Sequence, residues 1–276
     1  MTACGYLRAR DPQLNEEEAT NGKRAGYWKR FEPALVVLTG TVLAPVLFAQ
    51  GLVTRRTVPK LPEPPGARDG TDGDGPPLRL LILGDSAAAG VGASHQDEAL
   101  LGQIVSRLAG DFQVTWSLRA KTGNTTDAVL SSLKAQPSQQ FDVAVTSLGV
   151  NDVTAMVGRA RWRRQQAELR SILREKFKVE TLLISGLPPL HGFPALPQPL
   201  RWVLGARATQ LNHDVERDVA AECDADFLSL RFTADTSLMA SDGFHPGPGI
   251  YSQWAERVAE LVNRHRLASD RRLSEP

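Results

Sequence analysis

The chain has 276 residues, 42% apolar and 23% charged, with 32 basic side chains against 31 acidic ones, 23 glycines, 18 prolines and two cysteines. A formal charge of +1 leaves no electrostatic footprint for nucleic acid. Cys4 and Cys223 lie far apart and have no CxxC or CxxH neighbour, which excludes a disulfide framework and argues against structural zinc.

Residues 1–32 are polar and mixed in charge, with Glu16, Glu17 and Glu18 in a row, and read as an N-terminal tail. Residues 33–54 carry no charge, and as a helix they would span about 33 Å, enough for a bilayer core. This predicts a transmembrane anchor, with a cleaved signal peptide or a buried helix as the alternatives. Lys23, Arg24, Lys29 and Arg30 balance Arg55, Arg56, Lys60 and Arg68, so charge does not set an orientation. The short tail favours a domain held outside the cytoplasm. Residues 55–77 are rich in Pro, Gly and Asp and read as a linker between membrane and domain.

From residue 78 to 268 the pattern alternates. Short, nearly continuous apolar runs at 78–83, 112–118, 141–148 and 181–185, with a weaker one at 226–230, predict strands of a covered parallel sheet. Helical spacing fills 99–108, 126–133, 159–177, 200–223 and 250–266, the last with Trp254, Val258, Leu261 and Val262 on one stripe. The expected fold is α/β: a three-layer α/β/α sandwich, flavodoxin-like, with a central parallel sheet of about five strands and right-handed crossovers. Residues 269–276 read as a polar C-terminal tail.

Ligand sites in such sheets lie beyond the carboxyl ends of the strands. There the chain carries Gly84-Asp85-Ser86, Lys121-Thr122-Gly123-Asn124 and Gly149-Val150-Asn151-Asp152, while Ser241-Asp242-Gly243-Phe244-His245-Pro246 precedes the last helix. Singly, each reads as a cap or a turn. Together, a hydroxyl, an imidazole, a carboxylate and polar glycine turns at one sheet edge are the components of an acyl-transfer site. Other motifs fail. His95 stands where a dinucleotide fingerprint after Gly90-Val91-Gly92 needs its third glycine, and Ala88 where the α/β-hydrolase nucleophile elbow needs its second. His95, His191, His213 and His265 form no close metal-binding pair.

The combination resembles the SGNH hydrolases, the GDSL esterase and lipase family. Its four signature residues match as Ser86 in Gly-Asp-Ser, Gly123 after the second strand, Asn151 in Gly-Val-Asn-Asp and His245 in Asp-Gly-Phe-His, over about 190 residues from Leu78 onward. The resemblance implies a serine ester hydrolase working through an acyl-enzyme without metal or organic cofactor. Ser86 would be the nucleophile, His245 the general base and acid, and Asp242 the residue orienting His245. The Ser86 and Gly123 backbone N–H groups and the Asn151 amide would form the oxyanion hole. Asp85 and Asp152 are expected to hold loops.

Family members act on acyl esters, thioesters, lysophospholipids and acetylated sugars, so reaction type is better defined than substrate. The apolar, proline-rich connection 186–205 is a candidate acyl wall, with Phe193 and Trp202 as candidate substrate-binding residues. The expected partner is a small-molecule or lipid ester, reached from a membrane anchor. Protein partners are undetermined. An acyltransferase on the same scaffold and a catalytically silent lipid- or carbohydrate-binding module are the alternatives.

Overall fold

A computed structural model describes residues 42–231 and 236–274, with side chains described up to residue 267. The expected tail 1–32 and the first part of the expected anchor, 33–41, lie outside the described residues.

The alternation becomes a sheet because each apolar run feeds both faces. In β2 (Pro77–Gly84), Leu78, Leu80 and Ile82 face one side and Leu81 and Leu83 the other, and all five are buried. β2 pairs in parallel with β3 (Gln113–Ala120) on one side and β4 (Val143–Ser147) on the other. β5 (Thr181–Ser185) and β6 (Ala225–Leu228) continue the parallel series. The sheet is thus β1-β3-β2-β4-β5-β6, where β1 (Asp69–Asp72) is an antiparallel edge strand against β3. The five parallel strands have the flavodoxin-like order, whose switch point falls between β2 and β4.

Helices cover both faces. On one, α4 (Thr126–Ala135), α6 (Arg159–Glu175) and α7 (Leu200–Ala220) pack Leu130, Leu169, Leu173, Leu211 and Val215 against Leu81, Ala144, Leu182 and Ile184. On the other, α3 (Leu100–Leu108) and α8 (Pro248–Ser274) pack Ile104, Leu108, Trp254 and Val258 against Leu80, Ile82, Val145 and Leu183. Two short helices, α2 (Ser86–Ala89) and α5 (Val150–Thr154), follow β2 and β4 at the switch point. The last helix continues to Ser274, through most of the stretch expected as a polar tail.

The N-terminal expectation needs correction. α1 (Ala44–Thr57) has 14 residues, about 21 Å of helix against the roughly 30 Å of a hydrocarbon core, and Arg55 and Arg56 occupy its last turn. Among the described residues no helix is long and apolar enough to cross a membrane. α1 instead lies on the α/β domain along one stripe, with Leu43, Leu47, Gln50, Gly51 and Thr54 half-buried at helical spacing. Leu47 packs on the core, and the Gln50 amide bonds the Gln198 carbonyl (2.7 Å) and the Leu200 N–H (3.1 Å). The expected membrane-spanning anchor is therefore corrected: among the described residues this segment is a short helix resting on the domain.

The stretch 55–77 is equally engaged with the domain. The Gln96 N–H donates to the Pro65 carbonyl at 2.9 Å, the Leu118 N–H to Arg68 at 2.7 Å, and 69–72 form the edge strand. Composition had pointed to a spacer because Pro and Gly weaken local structure, but pairing with β3 supplies what propensity lacks.

Candidate active site

Register brings the site turns together. Gly84 ends β2 opposite Ala120 of β3 and Ser147 of β4. Beyond these ends the Asp85 N–H donates to the Ser147 carbonyl (3.1 Å) and the Lys121 N–H to the Gly84 carbonyl (3.2 Å). Ser86 opens α2, and Asp85 caps that helix by accepting from the Ala87 N–H at 3.1 Å. Asp85 is 3% exposed, and burial drives its pKa up to about 7 against smaller opposing effects of the Ala87 N–H and His245.

His245 arrives from the loop ahead of α8. Its Nε2 stands 2.9 Å from Ser86 Oγ, and its Nδ1 stands 2.6 Å from Asp242 Oδ2. The Asp242 Oδ1 accepts the Phe244 and His245 N–H groups, both at 2.9 Å, so the carboxylate organises its own turn. Gly243 takes φ +63° there, a conformation glycine adopts without a Cβ penalty. Burial pushes the Asp242 pKa up, but the bonds to the His245 ring and to the two backbone N–H groups outweigh it and hold the acid ionised below its usual range. An ionised carboxylate only accepts, so Nδ1 carries the proton and Nε2 presents its lone pair to the Ser86 hydroxyl.

Gly123 and Asn151 lie in the segments that follow β3 and β4. Gly123 lies in the turn after β3 with φ +86°, and no atom stands within 4 Å of where a Cβ would sit, so its requirement is for backbone conformation and not for space. Asn151, in α5, donates one amide hydrogen to the Asn124 carbonyl (2.9 Å), leaving a second on the same nitrogen. Asn124 in turn donates to the Gly84 carbonyl at 3.1 Å, so the turns after β2, β3 and β4 are cross-linked. Asp152, 1% exposed, accepts the Thr126 N–H and hydroxyl at 3.1 and 3.0 Å and secures the start of α4.

A largely apolar cavity opens from Ser86 and His245, walled by Leu187, Phe193, Met239, Phe244, Ile250 and Trp254. Phe193 meets Phe244 edge-on at 5.4 Å, and Phe244 meets the His245 ring at 5.3 Å. Trp202 does not border the cavity: it sits in the first turn of α7, past the part of the connection that does. Phe244 also walls the cavity, and its place between Asp242 and His245 is the one signal for it in the sequence. Among the described residues no group of three or more His, Cys, Asp or Glu side chains is placed to hold a metal ion.

No curated protein sequence matches the chain. Solved structures do. A lipolytic protein of the G-D-S-L family from Veillonella parvula superposes with a TM-score of 0.53 at 14% identity, over 67% of this chain and 98% of that one. The inhibitor-bound M. smegmatis aryl esterase gives 0.51 at 18% identity with the same coverage, and Est24, a carbohydrate acetylesterase from Sinorhizobium meliloti, 0.50 at 16% over 67% and 98%. At these identities the likeness concerns the fold. Residues 82–253 match the model of the GDSL-like lipase/acylhydrolase family, and with that match over more than half its length the chain belongs to this family, the SGNH hydrolases, as a carboxylic ester hydrolase.

Proposed function

We propose that the protein hydrolyses acyl esters through an acyl-enzyme on Ser86. His245 Nε2 takes the Ser86 proton as Oγ attacks the ester carbonyl, then returns it to the leaving alcohol. The same nitrogen next deprotonates a water that attacks the acyl-enzyme, and Ser86 recovers its proton as the carboxylic acid leaves. Asp242 keeps the imidazole in the tautomer this requires and stabilises the imidazolium. The Ser86 and Gly123 N–H groups and the second Asn151 amide hydrogen receive the charge that develops on the carbonyl oxygen, each such donor being worth about 2.7–4 kcal/mol.

The observation that carries this reading is the unbroken chain Ser86–His245–Asp242 at 2.9 and 2.6 Å, opening onto an apolar cavity. Such walls suit the acyl part of an ester better than a sugar, which needs several polar partners. Phe193 is assigned to the acyl wall; Trp202 is not. The test is hydrolysis of p-nitrophenyl esters from acetyl to dodecanoyl by the full chain, with Ser86→Ala beside it. Turnover and fluorophosphonate labelling that both vanish in the folded mutant support the proposal. Turnover that survives in the mutant refutes it.

A further inference from the structure

The segment between α1 and β1 precedes the family-matched residues 82–253, yet it reaches the site. Glu63 Oε1 accepts the Thr122 N–H at 2.6 Å and the Thr122 hydroxyl at 2.8 Å. Its Oε2 accepts from Arg68 at 3.1 Å, and the same guanidinium also donates to the carbonyl of Ala120, the last residue of β3. The segment is itself held, because Pro64 is buried and the Gln96 side chain donates to the carbonyls of Pro64 (3.4 Å) and Ala89 (2.9 Å). Partial burial pushes the Glu63 pKa up, and the Thr122 bonds with the Arg68 charge more than reverse this, so it remains a carboxylate at neutral pH.

Thr122 immediately precedes Gly123. Lys121, Thr122 and Gly123 are all exposed, and no atom lies within 4 Å of the Cβ position of Gly123, so this turn lacks packing on its outer side. Its inner side is tied down by the Lys121 N–H and the Asn124 amide, both on the Gly84 carbonyl. Between those ties, the peptide joining Lys121 to Thr122 has its N–H on Glu63, which fixes the plane from which the chain enters Gly123. The Gly123 N–H lies in the next peptide plane, whose direction follows from the Thr122 backbone that Glu63 holds, while the Asn124 N–H on the Lys121 carbonyl (3.1 Å) closes the turn around Gly123 at φ +86°.

We infer that Glu63 is a positioning residue for the oxyanion hole, its carboxylate holding Thr122 so that the Gly123 N–H points at the reacting carbonyl. The inference rests on the proposed role of Gly123. It makes the 58–68 segment part of the catalytic unit of this chain, contributed from outside the region that defines its family.

The test uses the full chain with Glu63→Ala, Glu63→Asp, Glu63→Gln and Gly123→Ala. Three quantities are read: kcat and KM on a p-nitrophenyl ester, Ki for a trifluoromethyl ketone, whose adduct with a serine carries an oxyanion, and Tm. A misplacement of about 1 Å costs roughly 100-fold in a catalytic arrangement, so Glu63→Ala and the shortened Glu63→Asp are expected to lower kcat by about 10- to 100-fold. KM should stay within about threefold, with Ki rising by a factor similar to the kcat loss. Glu63→Gln keeps an acceptor for the Thr122 N–H and should recover kcat to within about fivefold of wild type. If Glu63→Ala does not fold, Glu63→Asp carries the same test. Folded Glu63 variants with kcat and Ki unchanged, beside a Gly123→Ala that loses both, overturn the inference while leaving the oxyanion hole intact. A Gly123→Ala that leaves kcat, Ki and Tm all unchanged overturns both. A kcat loss without a change in Ki also overturns the inference, because it would mark a structural effect unrelated to the oxyanion.

Discussion

Replacing Asp242 by Asn isolates the tautomer on which the proposed mechanism turns. Asp242 Oδ1 holds the Phe244 and His245 N–H groups at 2.9 Å, and Oδ2 faces His245 Nδ1 at 2.6 Å. An Asn side chain that keeps its carbonyl on the two N–H groups must present its NH2 to Nδ1. The opposite flip would set an NH2 against two donors. With a donor at Nδ1 the ring proton moves to Nε2, where it meets Ser86 Oγ at 2.9 Å, and the hydroxyl loses its proton acceptor. The expected loss in kcat is about 10⁴-fold, or about 5.4 kcal/mol in barrier. Because both backbone bonds survive, Tm should fall by only a few degrees. Asp242→Ala removes both acceptors, each worth about 1 kcal/mol, and should fold less stably at a similar kcat. Steady-state hydrolysis reports kcat, thermal unfolding reports stability, and fluorophosphonate labelling should fall with kcat. A folded Asp242→Asn enzyme with kcat within tenfold of wild type would refute the reasoning.

Three further outcomes follow from the same geometry. Gly123→Ala meets no neighbour and keeps its N–H, so it must either hold φ +86° at a cost of about 1–2 kcal/mol in stability or relax and swing that N–H off the site at a cost of up to about 10²- to 10³-fold in kcat; a variant with both Tm and kcat unchanged would refute the backbone requirement at Gly123. Asp85 has a folded pKa of about 7 against an unfolded value near 3.8, so the stability it lends wild type is complete below about pH 4 and lost as pH rises to 7. Asp85→Asn keeps the acceptor for Ala87 and should gain on wild type across that window by up to the order of 4 kcal/mol, seen as a growing Tm difference; His245, Asp152 and Tyr251 are the other titratable groups coupled to it, and a pH-independent difference would contradict the assignment. Phe193→Leu gives up an edge-on ring contact worth about 0.5–1.5 kcal/mol and should shift the preferred acyl length without changing Ser86 labelling, whereas Trp202→Leu should leave the chain-length profile as it is.

The sequence by itself determined the α/β class, the parallel strands and most of the helices, because burial on both faces of a strand and on one stripe of a helix leaves a periodic signature. It also determined the order of Ser86, Gly123, Asn151, Asp242 and His245 along the chain, and their place just beyond strand ends or before the last helix. Only the tertiary structure decided the distances among them, since Ser86 and His245 are 159 residues apart and meet through the register of β2 and the docking of α8. It alone decided the acyl wall, where Phe193 turns inward beside Phe244 while Trp202, nine residues on, does not border the cavity. It also reversed the N-terminal reading. An uncharged run reports hydrophobicity but not what the helix rests on, and Gln50, which makes 33–54 a poorer membrane span, is the residue that bonds the helix to the domain. The 55–77 stretch escaped for the same reason: the bonds of Glu63 to Thr122 and of β1 to β3 are long-range, and no local pattern in a chain encodes a partner 59 residues away.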